Sequence, residues 1–158
     1  FLEPLESTSI HLIQSAIARL MENFPDKTFN QPDIDYYNRR TQLEYEQVRD
    51  FIVLHYCATQ RDDSPFWNYC RTMQIPQTLA DRLAVYSENA RLYRHDNELF
   101  DETSWLAVLH GQNIRPKRYH PIADIMPAAE LETRIEGQVA TGVSLMARHP
   151  DFLERYIR

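Results

Sequence analysis

The feature that most constrains the fold of this chain is the spacing of its apolar residues, which recur at intervals of three and four in most segments between prolines. This spacing places side chains on one face of an α-helix. No segment alternates apolar and polar residues convincingly enough for a half-buried strand. The 158 residues also include nine prolines and only three glycines. The sequence therefore predicts a mostly α fold in which prolines separate the helices.

Prolines and capping residues predict where the helices begin and end. We expect a first helix that stops at Pro25, a long second helix and three shorter ones, then an irregular segment, a last long helix that Pro150 ends, and one terminal turn. Gly111 has the position of the residue that follows a helix end. The predicted segments are, in order, 9–23, 32–60, 65–73 with Ser64 as cap, 77–89, a helix that Asp101 or Thr103 caps and that runs to residue 111, irregular 113–126, 127–149 and 152–157.

Apolar stripes run along several of these helices, including the first, the fourth and the last long one. In the first helix we expect a buried stripe, and in the fourth an inward-facing one, because such stripes normally face a core. The last long helix has its apolar residues on one stripe as well. The members are Ile10, Ile13, Ile17, Leu20, Met21 and Phe24 in the first helix, Leu79, Leu83, Val85 and Tyr86 in the fourth, and Leu131, Ile135, Val139, Val143 and Met146 in the last.

Charge and composition exclude several classes of function. The net charge of −6, from 17 basic and 23 acidic residues, argues against partners such as nucleic acid or an anionic membrane, which need clustered Lys and Arg,. Apolar runs such as Phe51–Leu54 are far too short to span a bilayer. None of the six histidines has the spacing of a zinc or di-iron site, so no metal site is predicted,. Cys57 and Cys70 are interpreted as reduced core thiols, which indicates a cytoplasmic protein.

The first thirteen residues are the one segment that points to chemistry. Pro4 keeps the lead-in extended, so the helix begins later, and residues 7–9 each offer a side-chain oxygen as N-cap. Glu6 then precedes a helix N-terminus, whose unpaired N–H groups and positive dipole end form an anion site. Taken physically, two interpretations stay open: simple helix capping, which is common, and a catalytic carboxylate beside an anion.

The string F-L-E-P-L-E-S-T-S-I at residues 1–10 closely resembles the segment F-x-E-P-L-E-S-T-G-I that closes the flavin module of the flavin-dependent tryptophan halogenases. The one departure is Ser9, where the family has glycine. His55–Cys57 and Arg61–Trp67 resemble the family's H-Y and R-x-D-x-P-F-W segments, and Trp105–Gly111 is similar to a helix of its members. The resemblance covers nearly the whole chain and identifies it as the C-terminal portion of such an enzyme.

This resemblance implies a two-module, FAD-dependent and monooxygenase-like architecture. Residues 1–13 would be the end of the flavin-binding module and the start of the first helix, and residues 14–158 the helical C-terminal domain that binds substrate. The family's glycine-rich fingerprint and its essential lysine lie in an N-terminal flavin module that these 158 residues do not include. We therefore expect the chain alone to be inactive.

The resemblance also implies the reaction and the site residues. Members use FADH2, which a separate flavin reductase supplies transiently, with O2 and chloride or bromide to form a hypohalous acid. By position, Thr8 and Ser9 would bind the halide, and Ile10 would contact the flavin. Glu6 would be the catalytic residue, facing the substrate and acting on the electrophile or on the ring proton.

Substrate choice is predicted from the segment before Trp105. Members that take free tryptophan have a tyrosine pair, a glutamate and a Phe-Trp pair there, whereas this chain has only Tyr93 and Phe100 as aromatic candidates, beside Glu6, for contact with a substrate. The sequence predicts an indole-like aromatic without a required amino-acid head group. The alternative is a self-contained helical protein-interaction module without catalysis, in which Glu6 and the serines only cap the first helix.

Overall fold

The computed structural model describes residues 7–94 and 98–157, and within them it contains α-helices and no strand. The helices are α1 (Thr8–Glu22), α2 (Gln31–Cys57), α3 (Pro65–Thr72), α4 (Gln77–Asn89), α5 (Glu102–Gly111), α6 (Ala128–Leu145) and α7 (His149–Tyr156), and Pro121–Ile125 forms a 3-10 helix. The predicted mostly α fold is confirmed. None of the described helices is both long enough and apolar enough to cross a membrane.

The chain divides into two compact units, Phe1–Tyr119 and His120–Arg158. The first unit holds α1 to α5 and is built around α2, which contacts each of the other four helices. The second unit holds the 3-10 helix, α6 and α7, and none of its described residues is buried.

The core of the first unit lies where α2, α4 and α5 meet. Its buried side chains are Phe51, Leu54, Leu79, Tyr86, Trp105 and Leu109. A smaller cluster, Leu12, Val48 and Ile52, joins α1 to α2. Phe100 packs against both clusters and stacks on Phe51 with ring centroids 3.8 Å apart. This aromatic contact holds Phe100, just before α5, against the central helix.

Local chemistry sets the starts of two helices as the sequence predicts. The Ser64 hydroxyl accepts from the Trp67 amide at the start of α3, with Pro65 in the first turn. The Asp101 carboxylate accepts from the amide of Ser104, 2.8 Å away, at the start of α5. Both contacts satisfy amides that have no partner within their own helix.

Two predicted helix ends are wrong. Gly111 lies within the last turn of α5, and the left-handed residue that follows this helix is Asn113, with φ 60°. Asparagine tolerates this conformation better than other residues with a side chain. Pro150 does not end the last long helix, because α6 already stops at Leu145 and Pro150 lies in the first turn of α7, where its missing N–H costs nothing,.

Two smaller expectations also change. The segment predicted to be irregular, 113–126, contains the 3-10 helix Pro121–Ile125, whose first turn the His120 ring caps by accepting from the amide of Ile122. The terminal turn predicted at 152–157 is part of the longer α7.

The apolar stripes have different fates. In α4 the predicted inward orientation is confirmed for Leu79 and Tyr86, which are buried, and for Leu83, which packs against them. The fourth predicted residue, Val85, is only partly buried and lines a surface cleft. In α1 the predicted burial is wrong: Ile10, Ile13, Ile17, Met21 and Phe24 are between 56% and 70% exposed, and Leu20 is 40% exposed. The reason is that α1 packs on α2 through Leu12 and a set of polar side chains on its opposite face.

Candidate functional site at the start of α1

The predicted anion site is the N-terminus of α1, which begins at Thr8. Ser7, the preceding residue, has a left-handed backbone with φ 52°, and its side chain makes no capping hydrogen bond. The first turn contains no acidic residue. Because the first amides of a helix have no partner within it, this end of α1 presents N–H donors and a partial positive charge.

Two hydroxyls add to this end of the helix. Thr8 is fully buried, and neither its Oγ1 nor the buried Oγ of Ser9 has a hydrogen-bond partner among the described residues. A buried hydroxyl without a partner costs about 1–3 kcal/mol. Such donors at the positive end of a helix suit a small anion, and a halide fits their chemistry.

Ser9 replaces the glycine of the resembling sequences without visible strain. It lies in the helical part of α1, and the residue with positive φ at this helix start is Ser7. The position of Ser9 therefore demands no glycine, because ordinary helical dihedrals are open to any residue with a Cβ.

Of the other two residues predicted at this end of α1, the structure describes one. Ile10 follows Ser9 in the first turn, and its side chain is 62% exposed. Glu6, the predicted catalytic residue, lies outside the described residues. The structure thus brings together Thr8, Ser9 and Ile10 as one helix turn.

The two aromatic substrate candidates do not share a site. Tyr93 lines a cleft of about 290 Å³ along α4. Phe100 lies in the core, against the cluster that contains Leu12, which is one helical turn beyond Thr8. Of the two, Phe100 is the one near the start of α1, and Tyr93 is the one with an exposed ring.

A second cavity of about 160 Å³ lies between α2 and α4, and sequence reasoning missed it. Its wall includes a buried ion pair in which the Arg82 guanidinium donates to both carboxylate oxygens of Glu98, at 2.6 and 3.2 Å. Arg82 also lies over the ring of Trp105, 4.1 Å from its centroid. Two donors that face this region, Gln47 Nε2 and Trp105 Nε1, are buried without a partner among the described residues.

A polar network around Glu44 fixes α1 on α2. The Glu44 carboxylate contacts His11 Nε2 at 3.0 Å and accepts from Ser15 Oγ and Arg19 Nη2, each at 2.8 Å. Arg19 also donates to the Thr41 hydroxyl at 2.7 Å. Burial raises the pKa of Glu44, but the hydrogen bonds from Arg19 and Ser15 outweigh it and hold the pKa below its ordinary value,.

Sequence reasoning also missed this network, although a signal was present. His11, Ser15 and Arg19 are spaced by four, so they lie on one face of a helix, opposite the apolar stripe. A helix with two such faces has no need to bury the apolar one against its neighbour in sequence.

Both cysteines are free thiols, as the sequence predicts. Cys70 is buried and Cys57 is half-buried. Burial raises the pKa of the Cys57 thiol, which keeps it protonated and a poor nucleophile,.

Comparison with known proteins bears on this site. The family model described as tryptophan halogenase matches residues 1–128. Among curated proteins, the tryptophan 7-halogenase RebH of Lentzea aerocolonigenes is 28% identical over 144 residues, which are 82% of this chain and 27% of RebH.

Two solved structures are similar over almost all of the chain. BrvH, a flavin-dependent halogenase from Brevundimonas sp. BAL3, is 41% identical with a TM-score of 0.86, over 98% of this chain and 32% of BrvH. Xcc4156, a flavin-dependent halogenase from Xanthomonas campestris, is 44% identical with a TM-score of 0.85, over 99% of this chain and 32% of Xcc4156. The chain therefore spans about a third of the length of these solved relatives and matches a helical portion of their fold.

Proposed function

Because this chain belongs to the tryptophan halogenase family, we propose that it is the helical, substrate-binding part of a flavin-dependent halogenase that chlorinates or brominates an indole-like aromatic ring. The relatives it matches are about three times as long as this chain or slightly longer, so the activity would belong to a larger protein of which this chain is one part. On its own the chain is inactive under this proposal.

The observation that carries the proposal is the pair of hydroxyls at the start of α1 that have no hydrogen-bond partner among residues 7–94 and 98–157. Thr8 Oγ1 and Ser9 Oγ are buried donors at the positive end of a helix,. We assign them, with the first amides of α1, to binding of chloride or bromide. A halide held there loses its hydration shell, which makes it a better nucleophile.

FAD is the cofactor of this proposal, and one feature of the chain fits it. The exposed Ile10 side chain follows the two hydroxyls directly and offers an apolar contact for the edge of a flavin ring. When bound, reduced FAD would activate O2, and O2 would be the oxidant that turns the halide into an electrophile. This chain has no glycine-rich phosphate motif, so its share is the halide and one edge of the ring.

Glu6 would perform the acid–base step on the substrate side. We propose that its carboxylate orients the electrophile or removes the ring proton after the halogen has added. This role groups residues 1–13 with the flavin-binding part and residues 14–158 with the substrate part. Removal of such a group typically slows a reaction by about 10²- to 10⁴-fold.

We propose an electron-rich aromatic without an amino-acid head group as the substrate. Tyr93 has an exposed ring in the cleft along α4, and Phe100 lies near the start of α1. Both are our candidates for substrate contact. Because Phe100 stacks on Phe51, one face of its ring is already covered, and only the rest of the side chain would contact the substrate. A separate flavin reductase would deliver FADH2, in the cytoplasm.

The test uses a hybrid halogenase in which this chain replaces the matching 32% of Xcc4156. The hybrid is assayed with FAD, a flavin reductase, O2, bromide or chloride, and indole. In the Thr8→Val variant we expect the KM for halide to rise about tenfold, because one halide donor is lost. The matched control is Thr103→Val, at an exposed position of α5, which should leave this KM unchanged.

Two further measurements on the hybrid test the catalytic and substrate assignments. The Glu6→Gln variant should keep its bound FAD and lose at least about 99% of the halogenation rate. Equimolar indole and L-tryptophan, compared by mass spectrometry, should give mostly halogenated indole. A hybrid that binds FAD but forms no halogenated product would favour the interaction-module alternative, and an excess of halotryptophan would overturn the substrate assignment.

A further inference from the structure

Helix α1 turns its polar face towards α2 and its apolar face outwards, the reverse of the usual orientation of an amphipathic helix. Its apolar stripe, defined here as Ile10, Ile13, Ile17, Leu20, Met21 and Phe24, points away from α2 and is mostly exposed. Its polar face, with His11, Ser15 and Arg19, lies against α2. A single protein rarely exposes so many large apolar side chains in one contiguous row unless something binds there.

The outward orientation is fixed by specific contacts. The Glu44 carboxylate contacts three polar side chains of α1, and the Glu44 side chain is only 13% exposed. Tyr37 adds a hydrogen bond from its hydroxyl to the Ala16 carbonyl at 3.4 Å. Turning α1 by half a rotation would bury the stripe against α2, but it would leave the Glu44 carboxylate buried without partners, which is costly.

The position of the stripe favours one occupant. The stripe begins at Ile10, directly after the two hydroxyls assigned to the halide, so whatever covers it also borders the anion site. This chain matches about a third of BrvH and of Xcc4156, and the remaining two thirds of each protein are available to cover the corresponding face. A second copy of this chain is disfavoured as the occupant, because each copy has a net charge of −6 and would repel the other,.

We infer that the apolar stripe of α1 is the contact face for the flavin-binding part of the halogenase, and that Glu44 is the positioning residue that turns this face outward. The inference rests on the proposed function for the identity of the partner. It adds that one helix serves both parts: its first turn holds the halide, and its stripe joins the helical part to the flavin-binding part beside that halide.

The test is site-specific thiol labelling in the hybrid with Xcc4156. Ile17→Cys places a thiol on the stripe, and Ala18→Cys is the matched control, also exposed and about 100° further round the helix,. Maleimide reaction at each site is followed by peptide mass spectrometry. We expect Ile17→Cys to react at least about tenfold more slowly than Ala18→Cys in the hybrid, and the two to react at similar rates in the 158-residue chain.

Equal reactivity of the two thiols in the hybrid would overturn the inference. Protection of Ile17→Cys in the 158-residue chain that grows with concentration would also overturn it, because a second copy would then be the occupant. Halogenation is measured on the hybrid without these substitutions. If the thiol is protected but that hybrid makes no halogenated product, the proposed function fails while the contact face stands.

Discussion

Helices α1 and α4 carry apolar stripes of the same spacing, yet one is exposed and the other buried. In α4, Leu79 and Tyr86 are almost completely buried against α2 and α5. In α1, Ile13 and Ile17 are more than half exposed. The comparison teaches that a stripe shows which residues share a face, whereas the polar residues on the opposite face decide which side turns towards the neighbouring helix.

The two helices also differ in what holds them. Burial of large apolar side chains anchors α4, and each such side chain contributes roughly 1.5–3 kcal/mol. Helix α1 buries only Leu12 among its large apolar residues and relies on the Glu44 network. Considered by itself, α6 resembles α1, since its stripe, including Ile135 and Val139, is exposed.

The difference between buried and exposed apolar residues is tested most directly by truncating one side chain of each kind. Leu54→Ala, at a fully buried position of α2, should lower the free energy of unfolding by about 2–5 kcal/mol, because it removes buried methyl groups and leaves a cavity,. Ile17→Ala, on the stripe of α1, should change it by less than about 0.5 kcal/mol. Urea unfolding of the 158-residue chain, followed by circular dichroism, measures both values.

Equal losses from the two substitutions would contradict the difference between the stripes. A loss at Ile17 alone would mean that α1 buries its stripe within this chain in solution. An unchanged urea dependence of the unfolding free energy in each variant confirms that only stability has changed.

The sequence predicted most of the helices because proline and capping residues act locally. Ser64 with Pro65 and Asp101 each begin a helix through contacts that span three residues. The exposure of α1 could not be predicted in this way, since it depends on Glu44, which lies 25 to 33 residues away from its partners in α1. Pro150 misled the prediction because a proline fits the first turn of a helix as well as it ends one,.

The candidate site was predictable to a similar extent. A run of three hydroxyl residues before an apolar stripe indicates a helix start, and the structure has α1 begin at Thr8. Sequence alone could not predict that Thr8 is fully buried and that its hydroxyl has no partner in the part of the chain that the structure describes, because burial depends on packing between distant segments. The Arg82 and Glu98 pair was missed for the same reason, as 16 residues and the end of α4 separate them.

Low pH should weaken the Glu44 contacts that hold α1 without weakening the apolar burial that holds α4. The pKa of Glu44 is lowered in the folded chain, so the carboxylate stabilises the fold above its ordinary pKa of about 4.3,. This contribution is lost as the pH falls from about 4.3 through the lower folded value. Glu44→Gln should therefore lower the free energy of unfolding at pH 7 by about 2 kcal/mol, and the difference from the natural chain should vanish at low pH.

Hydrogen exchange can locate the effect of Glu44→Gln. At neutral pH, the amides of α1 should exchange faster in the variant, while those of α4 should change only as the global stability changes. The matched control is Glu46→Gln, two positions along α2, because the hydrogen bond that Glu46 accepts from Gln42 is exposed. Equal pH dependence in Glu44→Gln and the natural chain would contradict a role for this carboxylate in holding α1.

The smallest expected effect concerns a polar defect inside the apolar core. Tyr86 is 1% exposed, and its hydroxyl is buried without a partner among the described residues. Burial raises the pKa of this phenol, which agrees with a hydroxyl that water does not reach,.

Tyr86→Phe removes the unpaired hydroxyl and should raise the free energy of unfolding by about 1 kcal/mol. Tyr69→Phe, at a position that is 67% exposed, is the matched control and should leave it unchanged. Thermal and urea unfolding of the three chains decide the question. A loss of stability in Tyr86→Phe would mean that the hydroxyl is hydrogen-bonded in solution and that the α4 side of the core is held by polar contacts as well, which would narrow the difference between α4 and α1.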